Sequence, residues 1–198
     1  MNYLAHAWLS FNHPQILVGN MISDFIKGKK QFDYPSIIHK GIQLHRAIDN
    51  FTDVHEATQQ LKLFFKPQYR LYAGAFADVV YDHFLATDEG EFLTDADLNR
   101  FATTTYQVLE INFTILPEAF QKMLPYMKEY NWLYNYRYKW GIEKSFAGLA
   151  RRARYLPETA VAFELFNENY DALQLIYQQF FPEIKRFAAH QMQELLNT

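Results

Sequence analysis

Cysteine is absent from the 198 residues, so the chain can form no disulfide and can offer no thiolate to a metal. Any ion it holds must be held by His, Asp or Glu, and the lack suits a reducing compartment. Long apolar runs are missing too: no stretch reaches the roughly 18 apolar residues that a membrane-spanning helix needs. The opening segment MNYLAHAWLSFNHP has neither the positive region nor the small-residue cleavage site of a signal peptide. The expectation is therefore a soluble, cytoplasmic protein. Positive charge is not in excess, since 19 Lys and Arg stand against 22 Asp and Glu for a net charge of −3. That argues against nucleic acid as a partner. The glycine-rich phosphate loops GxxxxGK[ST] and GxGxxG do not occur, and Ser10, Ser23, Ser36 and Ser145 lack a nucleophile-elbow context. Period-2 apolar alternation is scarce, which removes the signal for a sheet.

What is present is apolar, aromatic and helical in pattern. Hydrophobic residues make up 49% and aromatics 18%, enough to exclude disorder and to build an aromatic core. The length suits one domain spanning residues 1–198, and the fold class predicted is all-α, a single helical domain. A short apolar helix is predicted over Asn2 to Leu9, then a turn at Asn12 to Pro14, then a helix from Val18 that ends at Gly28. Pro35 opens the next helix, which breaks near His55. Another runs from Glu56 until Pro67 closes it, and a further one from Gln68 to Ala86. Thr94 with Asp97 forms a variant capping box for a helix to Phe113. Helices follow from Pro117 to Tyr130 and from Ile142 to Arg154. Pro157 opens a long one towards Phe181, where Pro182 either kinks it or starts a last helix.

The segment GIQLHRAIDNFTDVH, Gly41 to His55, places His45, Asp49 and Asp53 four residues apart in turn. Each step of four advances only about 40° around a helix, so all three share one face. Ile42, Leu44, Ile48 and Phe51 flank that face and shelter it. A sheltered carboxylate is costly without a compensating cation or donors. The segment DVVYDHFL repeats the pattern with Asp78, Asp82 and His83 on an apolar helix. Helix-spaced His and Asp without cysteine suit a hard or borderline divalent ion, and bundles often build such sites between facing helices. The duller reading makes these residues caps and buried ion pairs with Arg46, Arg70 or Lys40. Asn20 and Asp24 also fall four apart, and His6 sits on the first apolar helix, where it could merely satisfy a backbone carbonyl. The residues alone favour metal-assisted hydrolysis over triad or phosphate-loop chemistry.

Four segments in order, MNYLAHAWLS, GNMISDFIKG, GIQLHRAIDNFTDVH and DVVYDHFLA, resemble the acyl carrier protein phosphodiesterase family. The resemblance spans residues 1 to about 87, and the helical remainder has compatible length. It implies an architecture related to the HD-domain metal-dependent phosphohydrolases, of which the family is regarded as a divergent branch. It further implies hydrolysis of the phosphodiester that joins 4′-phosphopantetheine to a serine of holo-acyl carrier protein, with Mn²⁺, or Mg²⁺, as the ion. Asp24 is carried over from the GNMISDF motif as a metal ligand and catalytic residue, with His6 beside it. The remaining ligands are drawn from His45, Asp49, Asp53, Asp78, Asp82 and His83. The adjacent His-Asp pair that names the wider superfamily is absent, only the reversed Asp82-His83 being present, so its ligand order cannot be transferred. Arg46 and Lys27 are expected as electrostatic clamps on the phosphoryl group.

Acyl carrier proteins are acidic, so the resemblance also implies a basic docking surface. From Tyr136 to Arg154 the chain carries Arg137, Lys139, Lys144, Arg151, Arg152 and Arg154 against Glu143 alone. Lys144, Arg151, Arg152 and Arg154 are the expected partner-binding residues, with Lys27, Lys29 and Lys30 as a second rim. Two other functions fit the same residues: an HD-type nucleotide phosphohydrolase, and a non-catalytic helical binding protein whose acids are structural.

Overall fold

A computed structural model describes residues 1–151 in full, the backbone of Arg152, and residues 158–197. Among these there is no strand. The chain builds one all-α domain from α1 (Tyr3–Trp8), α2 (Pro14–Ile22), α3 (Ser36–Val54), α4 (Glu56–Tyr69), α5 (Ala73–Ala86), α6 (Asp95–Ile111), α7 (Glu118–Glu129), α8 (Trp132–Asn135), α9 (Lys139–Arg152), α10 (Ala160–Glu168) and α11 (Tyr170–Asn197). Short 3₁₀ turns at Ser23–Phe25 and Gly28–Asp33 link α2 to α3.

Helix α3 lies between α2 and α11, and α1 packs across α2 and α5. Two glycines decide how close α2 and α3 come. A Cβ on Gly19 would sit 2.0 Å from the carbonyl oxygen of Ile38, and one on Gly41 would sit 2.3 Å from that of Ile16. Backbone meets backbone there with no side chain between, so polar groups on one helix reach the other directly. The other side of the domain is an aromatic core. Phe65, Phe76, Phe146 and Phe166 meet edge to face or stacked, and Tyr81 stacks on Phe180 with centroids 4.4 Å apart.

The Thr94–Asp97 capping box forms as expected, with the Thr94 hydroxyl accepting from the Asp97 amide at 3.2 Å and Asp97 accepting from the Thr94 amide at 3.1 Å. Phe11 and Asn12 make the turn after α1, both at positive φ. Several boundaries differ from expectation. Helix α2 begins at Pro14, four residues before Val18, because the His13 side chain accepts from the Ile16 amide and caps it. Pro67 does not close α4. It removes one bond, to the carbonyl of exposed Leu63, and the helix continues to Tyr69, where Arg70 at φ 45° turns the chain. Of the two alternatives at Pro182, a new helix does not start there, since α11 runs through it; the break in the expected long helix falls at Asn169, whose amide and side chain both cap Leu165. Pro157 lies outside the described residues, and α10 begins at Ala160.

Candidate metal centre

The centre is assembled from three elements within the first 54 residues. Helix α1 supplies His6, the 3₁₀ turn after α2 supplies Asp24, and α3 supplies His45 and Asp49 one turn apart. The His6 and His45 rings stack with centroids 3.8 Å apart and 14° between planes. Both Nε2 atoms point at Asp49. His6 Nε2 lies 3.2 Å from Asp49 Oδ1, while His45 Nε2 lies 3.0 Å from Asp49 Oδ2 and 3.1 Å from Asp24 Oδ1. Both histidines are buried, whereas the side chains of Asp49 and Asp24 are 37% and 71% exposed, so the group opens to solvent on the carboxylate side.

The other ring nitrogens are already committed. His45 Nδ1 is 2.7 Å from the backbone carbonyl of Asn20, which can only accept, so Nδ1 carries the proton. His6 Nδ1 is 2.8 Å from Asn20 Oδ1. In their neutral forms both Nε2 atoms then carry lone pairs aimed at carboxylate oxygens. Acceptor faces acceptor, and only a proton or a metal cation relieves that. His6 Nε2 is buried and, despite the nearby Asp49, makes no hydrogen bond.

The electrostatics follow from this crowding. Burial and the adjacent His45 push His6 down to about 4. Burial also disfavours a charged His45, but bonds to Asp24 and Asp49 outweigh it and raise that ring to about 9. Rings 3.8 Å apart do not both take the second proton that would charge them, and His45, facing two acids, is the one that does. Asp24 is held below the usual carboxylate range chiefly by its bond to His45. Burial would raise Asp49, yet the bond from His45 and the closeness of His6 and of the Met1 ammonium drive it far down. Two acids held below the usual carboxylate range beside two imidazole nitrogens, with no thiolate, form a donor set suited to a divalent ion of the Mn²⁺ or Mg²⁺ kind. His6, His45 and Asp49 offer ligand atoms within 4.8 Å of one another.

The other expected ligands stand elsewhere. Asp78 lies beside the group without touching its histidines, and it accepts from the α-amino group of Met1 at 2.9 Å; that ammonium is also 3.5 Å from Asp49. Desolvation raises Asp78, and the ammonium opposes this. Asp82 accepts from the amides of Asn2, Leu4 and Ala5 at 3.2, 2.7 and 3.2 Å, so it ties down the first turn of α1 and thereby the helix that carries His6. His83 faces the aromatic core, with Nδ1 2.7 Å from the Tyr136 carbonyl and Nε2 2.9 Å from the Tyr170 hydroxyl. Asp53 is exposed and paired with Lys62 at 2.9 Å. Each of these four has a partner of its own in the fold.

Of the expected clamps, Arg46 donates to Gln31 Oε1 at 2.7 Å and reaches the Ile26 carbonyl at 3.4 Å, which ties it to the 3₁₀ strap at the Asp24 side of the centre. Lys27, Lys29 and Lys30 are exposed on and beside that strap. Lys144 and Arg151 are on α9, where Lys144 lies over the Trp140 ring. That helix packs through Phe146 onto Phe76 of α5, about 200° of helix rotation from Asp78. The α9 patch therefore sits on the far side of α5 from the centre. The side chain of Arg152 and all of Arg154 lie outside the described residues.

Reading the sequence missed the part played by Asn20, although its spacing of four from Asp24 was a signal. It also missed the amide latch that Asp82 makes, because backbone donors leave no pattern in a sequence.

Comparison with known proteins bears on what this arrangement does. The family described as acyl carrier protein phosphodiesterase matches residues 1–184. Curated proteins bearing that name are similar along nearly the whole chain. One from Klebsiella pneumoniae subsp. pneumoniae is 31% identical over 188 residues, 95% of this chain and 97% of the relative. One from Yersinia pestis is 30% identical over 190 residues, covering 96% and 98%, and one from Pectobacterium atrosepticum is 28% identical over 191 residues, covering 96% and 99%. No solved structure matches.

Proposed function

This chain belongs to the acyl carrier protein phosphodiesterase family, and we propose that it hydrolyses the phosphodiester between 4′-phosphopantetheine and the serine of holo-acyl carrier protein, releasing the apo form. The observation that carries the metal-dependent part of this reading is the pair of buried Nε2 atoms facing the Asp24 and Asp49 carboxylates. His6, His45, Asp49 and Asp24 would hold the ion, and Mn²⁺ suits two imidazoles with two carboxylates. When bound, such an ion supplies Lewis-acid charge to phosphoryl oxygen and lowers the pKa of water.

The protein's own groups do the rest. The buried histidines and half-buried Asp49 form a rigid floor, and solvent-facing Asp24 marks the side from which a phosphodiester enters. Arg46 uses only part of its guanidinium donor set on Gln31 and Ile26, so its remaining N–H groups serve as an electrostatic clamp. Lys27, one residue before the strap, adds charge at the same edge. Asp78 and Asp82 support the floor from α5.

For the protein partner, the strap with Lys29 and Lys30 supports docking better than α9 does, because it adjoins Asp24 while α9 packs behind α5. Arg151 would then act, if at all, as a remote steering charge. Among the described residues no helix is long and apolar enough to cross a membrane. The proposed substrate supports a cytoplasmic enzyme, and the net charge of −3 supports one without a nucleic-acid partner. The deciding experiment is mass spectrometry of holo-acyl carrier protein incubated with this protein and Mn²⁺. The expected result is loss of the phosphopantetheine mass. An unchanged substrate with folded, metal-loaded protein sinks the reading, and nucleotide hydrolysis by the same preparation would replace it.

A further inference from the structure

Asn20 is fully buried in α2, and both polar atoms of its side chain are used on the segment that carries His6. Its Nδ2 donates to the His6 carbonyl at 2.8 Å and to Ser10 Oγ at 3.0 Å. Ser10 Oγ in turn donates to the same His6 carbonyl at 2.8 Å. A carbonyl can only accept, so the amide nitrogen must lie on that side and Oδ1 must be the atom 2.8 Å from His6 Nδ1. His6 Nδ1 is therefore the protonated nitrogen. The backbone carbonyl of the same residue fixes His45 Nδ1–H at 2.7 Å. One residue thus speaks to both rings, by its side chain to one and its main chain to the other.

We propose that Asn20 is the positioning residue of the centre, holding a proton on Nδ1 of both histidines, so that His6 Nε2 faces Asp49 as an acceptor and His45 Nε2 becomes one when it gives up its second proton. The assignment rests on the metal-centre reading for its purpose, though not for its geometry. A ring with freedom to place its proton on Nε2 would present a donor where a ligand atom is needed, and outer hydrogen bonds of this kind typically carry 10- to 100-fold in metal affinity. The close α2–α3 contact at Gly19, one residue before Asn20, is what brings the main-chain carbonyl within reach of His45.

The test is nitrogen-15 NMR of the histidine rings with Mn²⁺ titration calorimetry, on the wild type, Asn20→Leu and Asn20→Asp. In metal-free wild type at pH 8, His6 should show the proton on Nδ1. Asn20→Leu should release His6 to a mixture of tautomers and weaken Mn²⁺ about 10- to 100-fold. His45 should keep its Nδ1 proton in that variant, because its partner is main chain; a general collapse would disturb both rings. Asn20→Asp retains an acceptor for His6 Nδ1–H, so it should restore the tautomer, and it keeps the proposal testable if the leucine variant does not fold. A His6 that carries its proton on Nε2 in the wild type, or one unchanged in Asn20→Leu, overturns the proposal. Wild type that takes up no Mn²⁺ refutes the metal-centre reading instead, while the metal-free spectra still decide what Asn20 does.

Discussion

Gly19→Ala tests whether the close approach of α2 to α3 holds the centre together. The added Cβ would lie 2.0 Å from the Ile38 carbonyl oxygen and 2.8 Å from both Gly41 Cα and Ile42 N, against 3.4 Å where ordinary contact begins. The shortfall is about 1.4 Å (3.4 less 2.0), and all three obstacles are main chain, so no rotamer change relieves it. Overpacking typically costs about 1–3 kcal/mol, and a main-chain clash belongs at the upper end. Alanine recovers roughly 1 kcal/mol of helix propensity, leaving a net loss of about 2 kcal/mol. At 2–4 °C per kcal/mol for a domain of this size, Tm should fall by roughly 4–8 °C. The helices must part by about the shortfall, which breaks the 2.7 Å bond from His45 to Asn20, so Mn²⁺ affinity should fall about tenfold or more as well. Differential scanning calorimetry and metal titration read the two effects. Gly148→Ala is the control, because a Cβ there meets nothing within 4 Å and should raise Tm slightly. A Gly19→Ala protein that melts within 2 °C of wild type and binds Mn²⁺ equally well would show that the glycine contact does not position the site.

Asp24→Ala should lower kcat/KM by about 100-fold or more, since several kcal/mol of charge stabilisation act at 1.4 kcal/mol per tenfold. Its circular dichroism should stay that of the wild type, because the Asp24 side chain is 71% exposed; near-normal turnover would remove it from the ligand set. Adding Mn²⁺ at about 100 times its Kd to chelated protein should stabilise the fold by roughly 2.7 kcal/mol, or about 5–10 °C in Tm, and an unmoved midpoint argues against a preformed site. Burial holds His83 neutral with its pKa lowered to about 4, so its contribution to stability is full above the unfolded value near 6.5 and is lost as pH falls towards 4. That amounts to on the order of 3 kcal/mol. Denaturant titrations in EDTA should show His83→Gln less stable than wild type at pH 8 but flatter in its decline to pH 4, and parallel profiles would refute it. Lys29→Glu with Lys30→Glu should raise KM for holo-acyl carrier protein at low salt and leave kcat alone, whereas Arg151→Glu should change KM less. The reverse order would move the docking surface to α9.

The all-α class and most helix positions were legible because they depend on local periodicity and on caps such as Thr94 with Asp97. The spacing of four likewise placed His45 and Asp49 on one face, and they do converge at 3.0 Å. Asp53 follows the same rule, yet two steps of about 40° carry it round towards solvent, where Lys62 meets it. Asp78 and Asp82 do share a face of α5, but that face meets the start of the chain, and the donors waiting for Asp82 are amides of Asn2, Leu4 and Ala5. His83, about 100° further round, is turned into the aromatic core instead. Prolines misled where the carbonyl they leave unbonded can face water, as at Pro67. Spacing along one helix is a local property and survives folding unchanged. Which face meets which neighbour is set by long-range packing, here by two glycines that let α2 touch α3, and that contact brought His6, Asp24 and Asn20 to the pair already visible on α3.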